Sequence, residues 1–306
     1  MSQPANKSAV VDSPFCLSNN AAYRQWREHR LCYRNPVMND LLLEVADPYR
    51  LTDDEKAAIA ERCEKYNMVI YQLSFIDGQA GNQDKSLVHA LGSQLAMENL
   101  DANLRSDEDS VSSLEVRAQS GNQYIPYTNK ALSWHTDGYY NVLDKQIFAI
   151  IMHCVRPAAE GGVNSLLNPE NVYIALRDEN PAYIEALMHP EAMTILDNIE
   201  DGKVIRAAQT GPVFMVKPRV GSEAGRLHMR FSARKRNIIW RDTEDTAKAV
   251  DMINRLLADE ENVFKVALKA GQGIICNNVL HNRSGFIDSE TQKRLMYRAR
   301  YYDAVG

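Results

Sequence analysis

The sequence predicts a mainly β protein with peripheral helices, folded as a double-stranded β-helix, or jelly roll. Two observations predict this fold. From residue 113 onward, short segments of strand-forming residues alternate with turn residues. Helical patterns are few, and they fall before or between these strands, as expected for helices on the outside of a barrel. Because no internal repeat or low-complexity linker interrupts the pattern, we expect one domain over residues 21–306.

The first part of the chain predicts an arm followed by alternating strands and helices. Residues 1–20 are polar and rich in small residues, which is typical of a mobile N-terminal arm. A helix is expected from its cap at Thr52 to about residue 66, with acidic residues in its first turn. The other elements expected here are strands at 41–45 and 68–73 and a helix at 84–97.

The second part supplies the strands of the barrel and two further helices. One helix follows Asn168-Pro169, and the other runs from Thr243 to about residue 259. In the latter, the apolar face comprises Ala247, Val250, Ile253, Leu256 and Leu257. Strands are expected at 114–119, 134–137, 146–155, 213–217, 263–268, 273–276 and 294–301.

Composition limits the classes of function. The 306 residues are 45% hydrophobic and 25% charged, which is ordinary for a globular protein with a substantial core. A net charge of −5 argues against a nucleic-acid partner. No segment approaches the roughly 20 apolar residues of a membrane span, and no secretory signal pattern is present, so we expect a cytoplasmic protein without a membrane partner. Five scattered cysteines indicate neither a disulfide framework nor a thiolate zinc site.

A candidate metal site is formed by three residues from distant segments. His135 and Asp137 lie two residues apart on a predicted strand, so both side chains point to one side and can hold one ion. The pair alone is equally compatible with a core histidine bonded to a carboxylate. His281 follows the predicted strand 273–276, which a barrel can place opposite residues 134–137. Two histidines and one carboxylate form the facial triad of non-haem Fe(II) oxygenases.

An arginine-rich face marks the last predicted strand. Alternation places Arg294, Arg298 and Arg300 on one face and residues such as Tyr297 and Tyr301 on the other. One interpretation is a solvated charged face. In the other, the arginines point into the barrel, where each guanidinium needs a carboxylate partner, such as a dicarboxylate co-substrate.

These segments together resemble a known family. The motif His135-Thr136-Asp137, the run Asn-Asn-Val-Leu-His-Asn-Arg at 277–283 and the run Arg-Leu-Met-Tyr-Arg at 294–298 resemble, in order, the taurine and chlorophenoxyacetate dioxygenase superfamily of Fe(II)/2-oxoglutarate enzymes. The resemblance covers about residues 110–303. Within that superfamily, segments 160–167, 225–230 and 281–300 are similar to carbon-starvation-induced glutarate hydroxylases.

The resemblance implies roles for individual residues. His135, Asp137 and His281 would bind Fe(II), and Arg294 would hold the distal carboxylate of 2-oxoglutarate. Asn164 follows a double glycine, where relatives often place a threonine that contacts the co-substrate.

The role of the other two arginines stays open. Arg298 matches a position that often meets an acidic group of the primary substrate. A rival alignment has Arg298 and Arg300 share the two carboxylate sites and leaves Arg294 outside. The sequence therefore does not decide which of the three arginines binds 2-oxoglutarate and which bind substrate.

The expected function is an Fe(II)- and 2-oxoglutarate-dependent dioxygenase. It would use O2 to hydroxylate or otherwise oxidise an unactivated C–H bond of a small carboxylated or otherwise anionic molecule, releasing succinate and CO2. The alternatives are a zinc-dependent hydrolase that uses the same three ligands and a non-catalytic jelly-roll binding protein. The basic segment 217–241 is either a solvated surface or an attractor of anions. The identity of the substrate, the type of product and the oligomeric state, a homo-oligomer included, stay open.

Overall fold

The chain divides into two compact units. A computed structural model describes residues 13–74, 85–102, 109–116, 125–219, 222–234 and 236–306. The barrel unit comprises residues 35–139, 144–167 and 263–306, and the second unit comprises residues 1–34, 140–143 and 168–262. The expectation of a single domain over 21–306 stays a prediction.

Short strands dominate the secondary structure of the described residues. The helices are α1 (Asn20–Leu31), α2 (Met38–Leu41), α3 (Asp53–Tyr66), α4 (Ser86–Gln94), α5 (Pro169–Glu179), α6 (Pro181–Met188) and α7 (Glu244–Ala258). The strands are β1 (Leu42–Val45), β2 (Met68–Leu73), β3 (Ser112–Leu114), β4 (Leu132–His135), β5 (Ala149–Arg156), β6 (Glu160–Gly161), β7 (Asn164–Leu167), β8 (Met193–Ile195), β9 (Asn198–Glu200), β10 (Lys203–Arg206), β11 (Gln209–Gly211), β12 (Phe214–Arg219), β13 (Ser222–Met229), β14 (Ile238–Trp240), β15 (Phe264–Val266), β16 (Gln272–Cys276), β17 (Leu280–Arg283), β18 (Phe286–Ile287) and β19 (Leu295–Tyr301).

Two main sheets build the barrel unit. The larger sheet has the order β1-β2-β16-β5-β19-β3, and the smaller has the order β15-β7-β17-β4. Ile150, Ile274 and Met296 of the larger sheet share one buried cluster with Leu166 and Val266 of the smaller sheet. The apolar faces of the two sheets therefore meet in one core, as in the predicted double-stranded β-helix.

Local sequence signals explain where the elements begin. Thr52 starts α3 through a capping box, in which its hydroxyl accepts from the Glu55 N–H and the Glu55 carboxylate accepts from the Thr52 N–H. Asn168 caps α5, whose first residue is Pro169. Both helix starts were predicted from these residues.

Two predicted elements differ from the structure, one in its position and the other in its buried face. β3 ends at Leu114, where a strand was expected to begin, and residues 117–119 lie outside the described part of the chain. α7 has the predicted bounds, but its buried face comprises Thr246, Ala249, Ile253 and Leu257, whereas Ala247 is exposed. The small polar Thr246 is buried at the first turn because its hydroxyl pairs with the capping Thr243.

The N-terminal segment and the basic segment pack within the second unit. Phe15 is buried and meets the rings of Trp26 and Tyr173 edge to face. The expectation of a mobile arm is therefore wrong for residues 13–20, and residues 1–12 lie outside the described part of the chain. In the basic segment, Arg230 is fully buried and donates to the carbonyls of Met193, Gln209 and Gly211, so this guanidinium is structural rather than solvated.

No helix among the described residues is long and apolar enough to cross a bilayer.

Candidate metal centre and co-substrate cavity

Strands β4 and β17 bring the predicted metal ligands together. They pair antiparallel with His281 directly opposite His135. Asp137 follows two residues after His135, just beyond the end of β4. His281 lies inside a strand of its own, β17, rather than in the loop after β16. The pairing of these strands thus brings the His135-Thr136-Asp137 motif next to His281.

The three side chains present their donor atoms to one point. The Asp137 Oδ1 lies 3.4 Å from the His135 Nε2 and 4.0 Å from the His281 Nε2. One donor atom from each residue lies within 4.8 Å of the other two. Within the described ranges, this is the one cluster of three such side chains. Its two nitrogens and one carboxylate suit a divalent transition metal.

The local backbone selects the tautomer of both histidines. The Nδ1 atoms lie 2.8 Å from the Ser133 carbonyl for His135 and 2.9 Å from the Val279 carbonyl for His281. Since a carbonyl only accepts, each Nδ1 carries a proton, and each Nε2 is the ring nitrogen that faces Asp137 and could coordinate a metal. Burial, reinforced by the neighbouring His135, lowers the pKa of His281 to about 4, so its ring is neutral near pH 7.

Asp137 is held as a carboxylate by an arginine. Burial alone would raise the pKa of Asp137, but Arg298 opposes it and holds that pKa well below its usual range. The Arg298 Nη1 lies 3.1 Å from the Asp137 Oδ2 and 3.3 Å from its Oδ1. The candidate ligand is therefore ionised and oriented.

A cavity opens beside the three ligands within the barrel unit. Much of its wall is apolar, including Ile150, Leu166 and Ile274. The polar residues of the wall are Asn164, His281, Asn282, Arg283, Arg294 and Arg298. An apolar chamber with a few charged groups is typical of a small-molecule site.

Arg294 is the charged group in this cavity that lacks a partner. Its side chain is buried, with its guanidinium 5.2 Å from the centre of the Phe286 ring. Among the described residues, that guanidinium has no ion pair and no hydrogen-bond acceptor. A buried guanidinium is costly unless a carboxylate or similar anion meets it, so a ligand anion fits this position.

The arginine face of β19 points into the barrel. Met296 lies in the core between the two sheets, while Ala299 and Tyr301 of the opposite face lie in the other buried cluster. The alternative of a solvated arginine face is therefore wrong.

Arg300 does not line the cavity. Its guanidinium forms a buried ion pair with Asp101, and the Tyr302 hydroxyl donates to the same carboxylate. Because Asp101 already meets this guanidinium, the geometry does not support the predicted substrate-binding role of Arg300. Asn164 does line the cavity, opposite Arg283 in the pairing of β7 with β17.

Arg283 is a residue of the cavity that the sequence analysis did not single out. It donates to the carbonyls of Thr128 and Lys130, and its guanidinium lies 4.8 Å from the Phe286 ring centre. Burial lowers its pKa to about 10. The available signal was alternation, since Arg283 lies two residues after His281 on one strand and so shares its face.

Comparison with known proteins identifies the family. The family model for taurine catabolism dioxygenase TauD, TfdA family matches residues 42–300. The chain belongs to this family. It is an Fe(II)- and 2-oxoglutarate-dependent dioxygenase, as the sequence motifs predicted. The zinc hydrolase and the non-catalytic barrel are not supported.

The chain is similar to known dioxygenases in sequence and to solved oxygenases in fold. The chain is 28% identical over 207 residues to a uridine-5'-phosphate dioxygenase of a Streptomyces species, covering 65% of this chain and 72% of the relative. It is 28% identical over 197 residues to an enzyme of the same name from an Amycolatopsis species, covering 62% and 68%. The non-haem iron oxygenase OrfP, solved with Fe and alpha-ketoglutaric acid, superposes with a TM-score of 0.61 at 14% identity over 98% of this chain and 94% of its own. This likeness confirms the predicted fold.

The ion pair between Arg300 and Asp101 should contribute to stability rather than to ligand binding. Replacing Arg300 with Met leaves the buried Asp101 carboxylate without its ion-pair partner. We therefore expect the free energy of unfolding to fall by about 3–5 kcal/mol. Chemical denaturation measures this loss. The double variant Arg300→Met/Asp101→Asn should recover most of it. A stable Arg300→Met protein with weakened 2-oxoglutarate binding would instead favour the rival alignment.

Proposed function

We propose that His135, Asp137 and His281 hold the catalytic Fe(II) and that Arg294 binds the distal carboxylate of 2-oxoglutarate in the adjoining cavity. The observation that carries the proposal is the convergence of three donor atoms within 4.8 Å beside an unpaired buried guanidinium. A ligand set on one side of a metal leaves three positions for a bidentate keto acid and O2.

The protein's part in the reaction is to bind, orient and exclude water. When bound, Fe(II), 2-oxoglutarate and O2 would together supply the oxidant, with one oxygen atom of O2 entering succinate as 2-oxoglutarate is oxidatively decarboxylated and CO2 is released. The Ser133 and Val279 carbonyls fix the two imidazoles, and Arg298 fixes the carboxylate of Asp137. The apolar wall with Ile150 and Leu166 keeps water from the reacting groups.

Arg294 is preferred over its two rivals for the co-substrate. Arg300 is occupied by Asp101, and Arg298 by Asp137. Asn164 lies in the same cavity and offers an amide to a carboxylate of the co-substrate.

The primary substrate is proposed to be a small anion. Arg298 lines the cavity, and its Nε has no hydrogen-bond partner among the described residues. An anionic group of the substrate can meet this side of Arg298 while Nη1 stays with Asp137. The names of the two uridine-5'-phosphate dioxygenases add phosphate esters to the carboxylates as candidates. A cytoplasmic location stays a prediction.

His135→Ala should abolish the iron site. We expect anaerobic addition of Fe(II) and 2-oxoglutarate to the unmodified protein to give a visible metal-to-ligand charge-transfer band, because the keto acid chelates the metal. The variant should give none, and a chelator should remove the band from the unmodified protein. His29→Ala, which changes an exposed histidine, is the matched control. A full band in His135→Ala would exclude this residue as a ligand.

Arg294→Ala should weaken the binding of 2-oxoglutarate without altering the affinity for Fe(II). Loss of one partner of a buried charge pair costs about 2 kcal/mol or more, or about thirtyfold in Kd. Titration of the same absorption band with 2-oxoglutarate measures it. Arg50→Ala, which changes an exposed arginine far from β19 in sequence, is the control. Unchanged affinity in Arg294→Ala would return the assignment to Arg298.

Anionic compounds should stimulate turnover and their neutral counterparts should not. We expect substrate-dependent release of succinate with members of a panel of carboxylates and phosphate monoesters, because an anionic group can meet the Nε side of Arg298 while Nη1 stays with Asp137. Uridine 5'-phosphate against uridine is the first matched pair to assay. Equal stimulation by a neutral counterpart would contradict an anionic substrate.

A further inference from the structure

Asn278 has a left-handed backbone conformation close to the proposed iron site. It lies between β16 and β17, three residues before His281, and its backbone φ is +48°. Asparagine is one of the few residues other than glycine that adopts this left-handed conformation readily. Its side chain is buried, with 2% exposure. Both the backbone and the burial therefore restrict the residue at this position.

The amide of Asn278 bonds both backbone groups of Asp137. Its Oδ1 accepts from the Asp137 N–H at 2.7 Å. Its Nδ2 donates to the Asp137 carbonyl at 2.9 Å and to the Ile147 carbonyl at 2.7 Å. The amide cannot be reversed, because an oxygen facing two carbonyls would repel both. One side chain therefore joins the loop before β17, the turn after β4 and the segment before β5.

Asp137 needs such a bond because it lies outside the strand ladder. β4 ends at His135, and the pairing of β4 with β17 does not include Asp137. The backbone of Asp137 is tied instead to a residue that is only three positions from His281. The separation of these two proposed ligands therefore depends on a short, buried connection.

We infer that Asn278 is a positioning residue that sets the place of Asp137 relative to His281 and so tunes the affinity for Fe(II). This inference rests on the proposed metal site and adds a residue outside the ligand set. Partners that orient metal ligands are typically worth about 10- to 100-fold in metal affinity.

The adjacent Asn277 offers a matched control. Its amide accepts from the Val305 N–H at 2.9 Å and donates to the Val305 carbonyl at 3.2 Å, so it fastens the end of the chain instead. Loss of the Asn277 amide should lower the thermal stability of the protein without weakening its affinity for Fe(II). The two asparagines thus separate general loop stability from ligand positioning.

The test compares Fe(II) affinity in Asn278→Asp, Asn278→Gly and Asn277→Ala by anaerobic titration, with the thermal unfolding of each apo-protein. Asn278→Asp keeps the acceptor and tolerates positive φ but loses the donor to two carbonyls. Asn278→Gly keeps the backbone conformation and loses all three bonds. Both should bind Fe(II) about 10- to 100-fold more weakly, with a shifted charge-transfer band, whereas Asn277→Ala should bind normally.

The outcomes are distinguishable from failure of the proposed function. If the unmodified protein gives no charge-transfer band, the proposed metal site is wrong and the inference is overturned with it. If the unmodified protein gives the band and either folded Asn278 variant binds Fe(II) within about twofold of it, only the inference is overturned. Equal weakening by Asn277→Ala would also overturn it. Should one Asn278 variant fail to fold, the other decides.

Discussion

The antiparallel pairing of β4 with β17 is the contact on which the site depends. It sets His281 opposite His135 although a long stretch of chain separates them. β17 also pairs with β7, which places Asn164 opposite Arg283 on the same wall. The core between the two sheets packs against these strands. The positions of the two histidines are therefore fixed by the packing of the barrel. His135 and His281 lie on paired strands, so their positions relative to each other are set before any ligand binds.

Charge within the cavity is unbalanced in favour of cations. Its wall includes three arginines, Arg283, Arg294 and Arg298. Among the described residues, one of the three has a carboxylate partner, since Arg298 forms an ion pair with Asp137. Carbonyls satisfy Arg283 in part, whereas the buried Arg294 guanidinium has no ion pair within the part of the chain that the structure describes. A dianionic co-substrate would offset this surplus, and ligands that bind only the folded state also stabilise it. The same positive charges that oppose folding in the absence of a ligand therefore favour the binding of an anion in this cavity.

The fold and the candidate metal ligands could be predicted from the sequence because both are marked by local patterns of residues. Strand alternation located β2, β16 and β19, and capping residues located α3 and α5. Alternation could not choose which face of β19 points inward, because both faces carry large side chains. The outcome for Arg300 depends on Asp101, a partner distant in sequence. Likewise, the packing of Phe15 on Trp26 and Tyr173 is a tertiary effect that overrides a polar composition.

Two ion pairs on one strand show why a buried charge pair does not by itself mark function. Arg298 and Arg300 lie on the same face of β19, and each meets an aspartate. The Arg300 pair is closed within the protein, and its guanidinium does not line the cavity. Arg298 lines the cavity, and its aspartate also faces the Nε2 atoms of two imidazoles. What separates the two pairs is an open neighbouring space and the two imidazole nitrogens beside Asp137, since burial and an ion pair are common to both.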